Sequence, residues 1–514
     1  MENNKSKTSM NGDNVSGFRK ALGMKADTSV KTEILAGIVT FLAMAYILVL
    51  NPQLILSDFS NTHPLRSSVF IATALGAFVG TLLMALYAKL PLAQAPGLGL
   101  NSMVGGLLGG SLIGMSLSFG NSMLLVLISG ILFLFLSLLK IQGTSIREII
   151  YKAIPESIRK AISVGLGLFI ALIGLVNAGV VIPGQAVKDG LLIPNTQTIV
   201  SLAHLSSWNM SVIGPAIVCL FGFIVIAVLS HFNIKGSVLI GILAATLLGA
   251  IPGIGVTKWS NETWAFWEHF KNFFSLSEAE GGTFLVAFTE GFDFPDGVSI
   301  ISLIMVVITF CMLDMFDTMG SCVGCCSAAG LMDEKGVPLN YDRIMLADSV
   351  ATCAGAFFGT STVTTFLESG SGISAGGRTG LTALVTSILF LLSIFLLPLF
   401  ASIPLSAAAP ALIWVGCLML KDVKDIKVDS VRDLVPAFLT IAMMPFCYSI
   451  TTGIGLGILS YSLITVIGYL VNVISYSIKK KKDSSVKKPV WDLHIVTIIL
   501  TILFIIYFFV PIQF

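Results

Sequence analysis

The feature that most constrains this fold is a carboxylate set among glycines inside an apolar chain. In ADSVATCAGAFFGTSTVTTFLESGSGISAGGRTG, Ala347 to Gly380, a small-residue helix gives way to Thr362, Val363, Thr364 and Thr365, then to Glu368 and a run of glycines, before hydrophobicity resumes at Leu381. The β-branched residues favour extended backbone, and Gly370, Gly372, Gly376 and Gly377 weaken any continuous helix. Of the 514 residues 55% are hydrophobic and only 11% are charged, with a mean hydropathy of +0.92, so the chain reads as an all-α polytopic membrane protein. A bilayer tolerates broken backbone only where protein or a watery cavity covers it, and a carboxylate at that depth marks a functional site.

The stretch has a counterpart earlier in the chain. Ala72-Thr73, Gly76-Ala77-Phe78 and Gly80-Thr81 recur with the same spacing as Ala351-Thr352, Gly355-Ala356-Phe357 and Gly359-Thr360. After the first copy comes a second interrupted segment, PLAQAPGLGLN, with Pro91, Pro96, Gly97 and Gly99 ahead of Asn101. A weaker echo pairs Ile154, Pro155, Ser157 and Gly167 with Ile403, Pro404, Ser406 and Gly416. Paired Gly/Pro-interrupted segments in two halves point to the binding site of a transporter.

Residues 1–32 are polar and basic and are expected to be a cytoplasmic, mostly disordered tail, with no cleavable signal peptide. Residues 33–252 form the first repeat, of about seven crossings, and residues 298–476 the second. Lys140, Arg147, Lys152, Arg159 and Lys160, then Lys421, Lys424, Lys427 and Arg432, and then Lys479 to Lys482 fall on the cytoplasmic side if every segment crosses. An odd number of crossings per copy makes the two copies inverted relative to each other. Residues 253–297 form an outer loop whose Trp259, Trp264, Trp267, Phe270, Phe273 and Phe274 suit a helix lying in the interface. Residues 477–514 supply a basic loop and an extra C-terminal helix.

The helix from Ser299 contains CMLDMFDTMGS, placing Asp314 and Asp317 about a turn apart on one face that Ser321 continues. Two acids in an otherwise uncharged helix cannot both face lipid, and the structural alternative is a cap or a pairing with Arg378. Arg378, in GGRTG, is read as anchoring the helix end in preference to balancing charge. Buried carboxylates accept hydrogen bonds from the N–H groups of a neutral heteroaromatic ligand and repel an anion, while Phe366 either stacks on a flat ring or serves packing. Ser369 follows Glu368 directly. Cys322, Cys325 and Cys326 are assigned to helix packing and not to metal, GGRTG lacks the lysine of a phosphate loop, and the eight cysteines suggest no disulfide framework.

At these residues the sequence resembles the nucleobase transporter superfamily, and within it the AzgA-like branch of purine permeases for hypoxanthine, guanine and adenine. The resemblance rests on KTEILAGIVTFLAMAYILVLNP, APGLGLN, LDMFDTMGS, GTSTVTTFLESGSGISAGGRTGLTAL and IPLSAAAPALIWVG. It implies about fourteen spans in two inverted repeats, a core and a gate domain, third and tenth segments that are part strand and part helix, and a homodimer. It implies that Asp317 and Glu368 hold the base, that Asn101 and Asp314 are further polar site positions, and that proton coupling involves Glu368, Asp317 and Asp314. The departures are Ser102-Met103 after the asparagine, and Glu368-Ser369-Gly370-Ser371-Gly372 where the branch commonly reads ESAAG.

The resulting expectation is a multi-pass plasma-membrane protein, N-terminus inside, importing purine nucleobases by proton symport, with Na+ as the alternative coupling ion. No cofactor, metal, enzymatic activity or nucleic-acid partner is expected. The rival readings are an anion carrier of the sulfate or bicarbonate type sharing the fold, a membrane-embedded enzyme, and a receptor that binds without transporting.

Overall fold

The computed structural model describes residues 17–514 apart from 58, 60–62, 111, 113–114, 142–143, 184, 189–190, 195–199, 203–209, 258–265, 335–336, 427–428, 481–489 and 510–514. The chain enters through α1 (Gly17–Ala21) and a first span built of α2 (Val30–Met44) and α3 (Ile47–Ile55). Ser29 caps α2 by accepting from Thr32 N. Next, α4 (Leu65–Leu83) ends in a wider turn, Met84–Ala88, stopped by Lys89 at φ 60°. A three-residue strand, Gln94–Pro96, precedes α5 (Leu98–Leu108), and α6 (Phe119–Leu138) starts from a capping box of Ser118 and Asn121. Amphipathic α7 (Ile146–Ala153) leads to α8 (Glu156–Asn177), α9 (Met210–His231) and α10 (Ser237–Gly249), then to the short α11 (Phe266–Phe273) and α12 (Val286–Thr289).

The second half opens with the long α13 (Ile300–Ala329), then α14 (Tyr341–Phe358), a strand at Val363–Thr365 and the single turn-and-a-half of α15 (Ser369–Ser374). It continues through α16 (Gly380–Leu392), α17 (Leu397–Ala401), α18 (Leu405–Met419), α19 (Val431–Phe446), α20 (Ile450–Lys480) and α21 (Ile495–Phe509). Among the described residues nine helices are long and apolar enough to cross a membrane. Of the other elements, α5, α10 and α21 are apolar but shorter. Helices α2 to α6 pack with α13 to α16, and α8 to α10 pack with α18 to α20, so the chain gathers into two helix groups.

Two expectations need correction. Residues 17–32 belong to the packed structure and not to a disordered tail, because Leu22 and Met24 are buried and Leu22 O accepts from Gly380 N at 3.0 Å. The chain is not purely helical either. Besides the two strands within the broken segments, Val181–Pro183 pairs with Val200–Leu202 and Gln185–Lys188 with Leu191–Pro194, antiparallel in both cases. In the outer loop, Trp259 and Trp264 lie outside the described residues, and α11 turns Phe273 inward while leaving Trp267 exposed.

Both sequence echoes sit at points of close approach. A Cβ at Gly76 would lie 3.9 Å from the Gly355 Cα, where α4 crosses α14. Gly167 and Gly416 face each other across α8 and α18: a Cβ on Gly416 would stand 2.5 Å from Gly167 O and one on Gly167 3.2 Å from Gly416 O. Without a hydrophobic drive between helices in lipid, such backbone proximity supplies much of the packing energy. Gly416→Leu is therefore expected to cost about 1–3 kcal/mol or more, as overpacking against a rigid backbone does, and to lower the melting temperature of the detergent-solubilised protein by several degrees. The control is Gly468→Leu, where nothing lies within 4 Å of the added Cβ and the melting curve should not move.

Candidate functional site

The site is built where the two interrupted segments meet. Gln94–Pro96 pairs antiparallel with Val363–Thr365, in the register Gln94 to Thr365, Ala95 to Thr364 and Pro96 to Val363. Gly97 N donates to Thr362 O and Phe366 N to Ala93 O, both at 3.0 Å, extending the ladder at each end. Backbone N–H and C=O groups that neither segment satisfies internally are thus satisfied by the other, as a low-dielectric interior demands.

Side chains of the flanking helices clamp this pair. Thr81 Oγ1 donates to Gln94 O and accepts from Gln94 N, both at 2.9 Å. On the other strand Val363 N donates to Thr352 Oγ1 at 3.3 Å, and that hydroxyl donates to Asp314 Oδ2 at 2.7 Å. Asn51 Nδ2 reaches Thr73 at 2.6 Å and Thr360 at 2.7 Å, joining the two echo copies through one amide. Asp348, fully buried, accepts from Gln94 Nε2 at 2.5 Å and from Thr318 Oγ1 at 2.8 Å, while Thr318 in turn accepts from Thr365 N at 3.1 Å. One carboxylate therefore ties both strands to α13. Such a buried hydrogen-bond network holds the strands in one geometry.

Beside the strand pair lies a cavity of about 340 Å³, within the size range of small-molecule sites. One wall is polar, formed by Tyr46, Asp317, Ser321, Thr365, Glu368 and Ser371, with Phe366 next to them. The facing wall, from α8 and α18, is apolar: Leu166, Ile170, Val415, Leu418 and Met419. Ser163 and Asp422 add polar side chains on that side, and Ser163 Oγ donates to Asp422 Oδ2 at 2.6 Å. Tyr46 O–H donates to Glu368 Oε1 at 2.6 Å, and Thr364 Oγ1 donates to Asp317 Oδ2 at 3.1 Å. Among the described residues no lysine, arginine or histidine lines this cavity.

Of the residues read from the sequence as site candidates, Asp317, Glu368, Phe366 and Ser321 line the cavity together. Asn101, Asp314 and Ser369 do not, since each faces into the clamp behind it. Asn101 Oδ1 accepts from Ser361, Asp314 is bound by Thr352, and Ser369 Oγ accepts from Ala93 N at 3.0 Å. Arg378 pairs with neither acid of α13: its guanidinium donates to Ile373 O at 2.6 Å and Gly377 O at 2.7 Å, and its N–H donates to Glu33 at 3.0 Å, which anchors the end of α15 to α2. Tyr46, Thr364, Asp348 and Asp422 were not singled out by sequence reasoning. A tyrosine in an apolar span reads as an interface aromatic, and its role emerges only from the 2.6 Å bond to Glu368. Among the described residues no group of three or more His, Cys, Asp or Glu side chains could hold a metal ion.

Residues 31–456 match the Permease family (Xan_ur_permease). The adenine permease AdeP of Escherichia coli is 36% identical over 439 residues, spanning 85% of this chain and 88% of the relative. The guanine/hypoxanthine permease PbuO of Bacillus subtilis is 37% identical over 440 residues, spanning 85% and 92%. Among solved structures, the transmembrane domain of the cyanobacterial bicarbonate transporter BicA superposes with a TM-score of 0.55 at 14% identity, covering 84% of this chain and 98% of that one. SLC26A9 gives the same TM-score at 13% identity, covering 88% and 69%. At such identities the likeness establishes the fold alone.

The geometry divides the carboxylates into two classes that differ in access. A water-soluble carbodiimide with a small amine, read out by peptide mass spectrometry on the folded protein, is expected to label Glu368 and Asp317 through the cavity and to leave Asp314 and Asp348 unlabelled. Equal labelling of all four would mean that the clamp is open to solvent.

Proposed function

The chain belongs to the nucleobase permease superfamily, a membrane transporter and not an enzyme, and on that premise we propose that it imports purine nucleobases, hypoxanthine and guanine with adenine beside them, across the plasma membrane in symport with protons. The observation that carries this reading is the two-faced cavity. Asp317 and Glu368 present acceptor oxygens on one wall, where a neutral base directs its N–H groups, and Phe366 offers a ring to its π-face. The other wall is aliphatic and binds by contact only. A base held this way keeps its hydrogen bonds to α13 and α15 while the helices of the α8 and α18 group slide past it, so the polar contacts survive the movement from one side to the other.

Two carboxylates facing one cavity repel each other, and crossing with both ionised is costly. A proton carried on one of them with the bound base removes one charge from the moving site, which is the physical ground for symport. Asp314 contributes through Thr352 and the strand it holds, and Asn101 through Ser361, both from behind the cavity. The fourteen-crossing, inverted arrangement is supported by the antiparallel pairing of the two broken segments and by the echo glycines that meet at two helix crossings. The basic loops, with Lys140 and Lys152 in the first half and Lys421 and Lys424 in the second, support a cytoplasmic N-terminus if each copy crosses seven times.

The fold is shared with bicarbonate and SLC26 carriers, but the cavity's acids, unaccompanied by a basic lining residue, oppose an anion as cargo. Proteoliposomes given an inward proton gradient are expected to accumulate radiolabelled hypoxanthine, to lose that accumulation with a protonophore, and to be competed by guanine or adenine and not by sulfate. Accumulation driven by an inward Na+ gradient with no proton gradient would replace the coupling ion. Glu368→Gln, which removes a charged acceptor worth about 1.5–3 kcal/mol, should weaken uptake by tenfold to a hundredfold without changing the melting curve. Unaltered kinetics in that variant would exclude Glu368 from the site.

A further inference from the structure

Glu368 borders two cavities. Besides the cavity already described, a second space of about 200 Å³ lies between the α9–α10 turn and α15. It shares Tyr46, Glu368, Ser371, Val415 and Leu418 with the first, so the Tyr46–Glu368 hydrogen bond stands in the wall between them. The remainder of its lining differs in character. Ser230, Asn233, Lys235 and Ser237 line it beside the apolar Ala43, Ile234, Val238 and Trp414, whereas Leu166, Ile170 and Met419 line the first cavity and not the second. Ser230 and Ser237 hydroxyls are 2.8 Å apart, and Lys235 Nζ donates to Ser374 Oγ at 3.1 Å, which fastens the turn onto the same short helix that follows Glu368.

The volume is ample for several waters, and the hydroxyl, amide and ammonium groups give such waters the partners they need. The first cavity has an aliphatic wall from α8 and α18 suited to a ring. We propose that the second cavity is a water-filled proton route to Glu368, separate from the path taken by the base. This rests on the proton-symport reading and adds to it a place for the proton to enter and leave. In the release step the Glu368 carboxyl O–H bond breaks, its electron pair remains on the carboxylate, and the proton passes to a water of the second cavity and onward to the solvent on the α9–α10 side. Uptake is the reverse. Tyr46 holds Oε1 throughout, which leaves Oε2 for the exchange. The other titratable groups that face Glu368 are Asp317 in the first cavity and Cys325, whose thiol lies 3.6 Å from Leu367 O. Lys235 lines the second cavity and Asp422 the first.

The test plugs the second cavity after folding is complete. Ser237→Cys is reconstituted and then treated with benzyl methanethiosulfonate, alongside identically treated wild-type protein, whose own exposed cysteines are Cys417 and Cys447. Two fluxes are read: exchange of labelled for unlabelled hypoxanthine at equal pH, which needs no net proton release, and accumulation driven by a proton gradient, followed with an internal pH dye. The expected result is exchange within about twofold of the untreated variant and gradient-driven accumulation, with its proton influx, reduced about tenfold, equivalent to 1.4 kcal/mol on the barrier. Equal loss of both fluxes would make the second cavity part of the base's own path, and no loss of either would leave it without a transport role. Both results overturn the proposal. Wild-type accumulation that ignores a protonophore would instead overturn the symport reading, and the route with it.

Discussion

The structure depends on the antiparallel pairing of Gln94–Pro96 with Val363–Thr365. Inside a bilayer an unsatisfied backbone amide costs several kcal/mol, so a spanning segment cannot simply stop being helical. Here two segments interrupt themselves at the same depth and complete each other's hydrogen bonds. That arrangement lets the chain leave the strand at Thr365, turn through Phe366 and Leu367, and place Glu368 at the start of α15 beside a cavity. The glycines and threonines that look like faults in an apolar sequence are the residues a short membrane-embedded ladder requires.

Around the ladder the same residue type serves two purposes. Asp348 and Asp314 are buried acids that accept from Gln94, Thr318 and Thr352, and they hold the strands. Asp317 and Glu368 are acids of the same broken-segment assembly that look into the cavity, each fixed by one hydroxyl donor. Removing a partner from the first class leaves a buried polar group without its hydrogen bond and threatens the fold, whereas the second class meets water or a ligand. This division keeps the cavity's geometry independent of what occupies it.

Much of this was legible in the sequence, and for identifiable reasons. The breaks showed because glycine and β-branched runs stand out against apolar helix, and the echoes showed because helices that approach to backbone contact need glycine at the crossing, as at Gly76 and Gly355 or Gly167 and Gly416. The orientation of side chains did not show. Residues three apart on a helix are displaced by about 60°, enough to turn Asp317 into the cavity and Asp314 toward Thr352, so shared spacing placed both in the site when only one lines it. Tyr46 and Asp348 were hidden for a different reason: their partners, Glu368 and Gln94, are 322 and 254 residues away in the chain, a separation that no local pattern encodes. The ordered residues 17–32 were missed because a basic, polar composition conceals two side chains, Leu22 and Met24, that the helix bundle buries.

The central claim is that carboxylates on one wall receive the N–H groups of a neutral purine. Equilibrium binding to the purified protein in lipid nanodiscs, comparing hypoxanthine with its singly N-methylated derivatives, tests it most directly. The account predicts that methylation at a nitrogen whose N–H meets Asp317 or Glu368 weakens binding by at least about tenfold, because a buried charged acceptor is left without its donor, while sulfate and bicarbonate displace nothing. Methylated and unmethylated bases binding alike, or displacement by either anion, would contradict it.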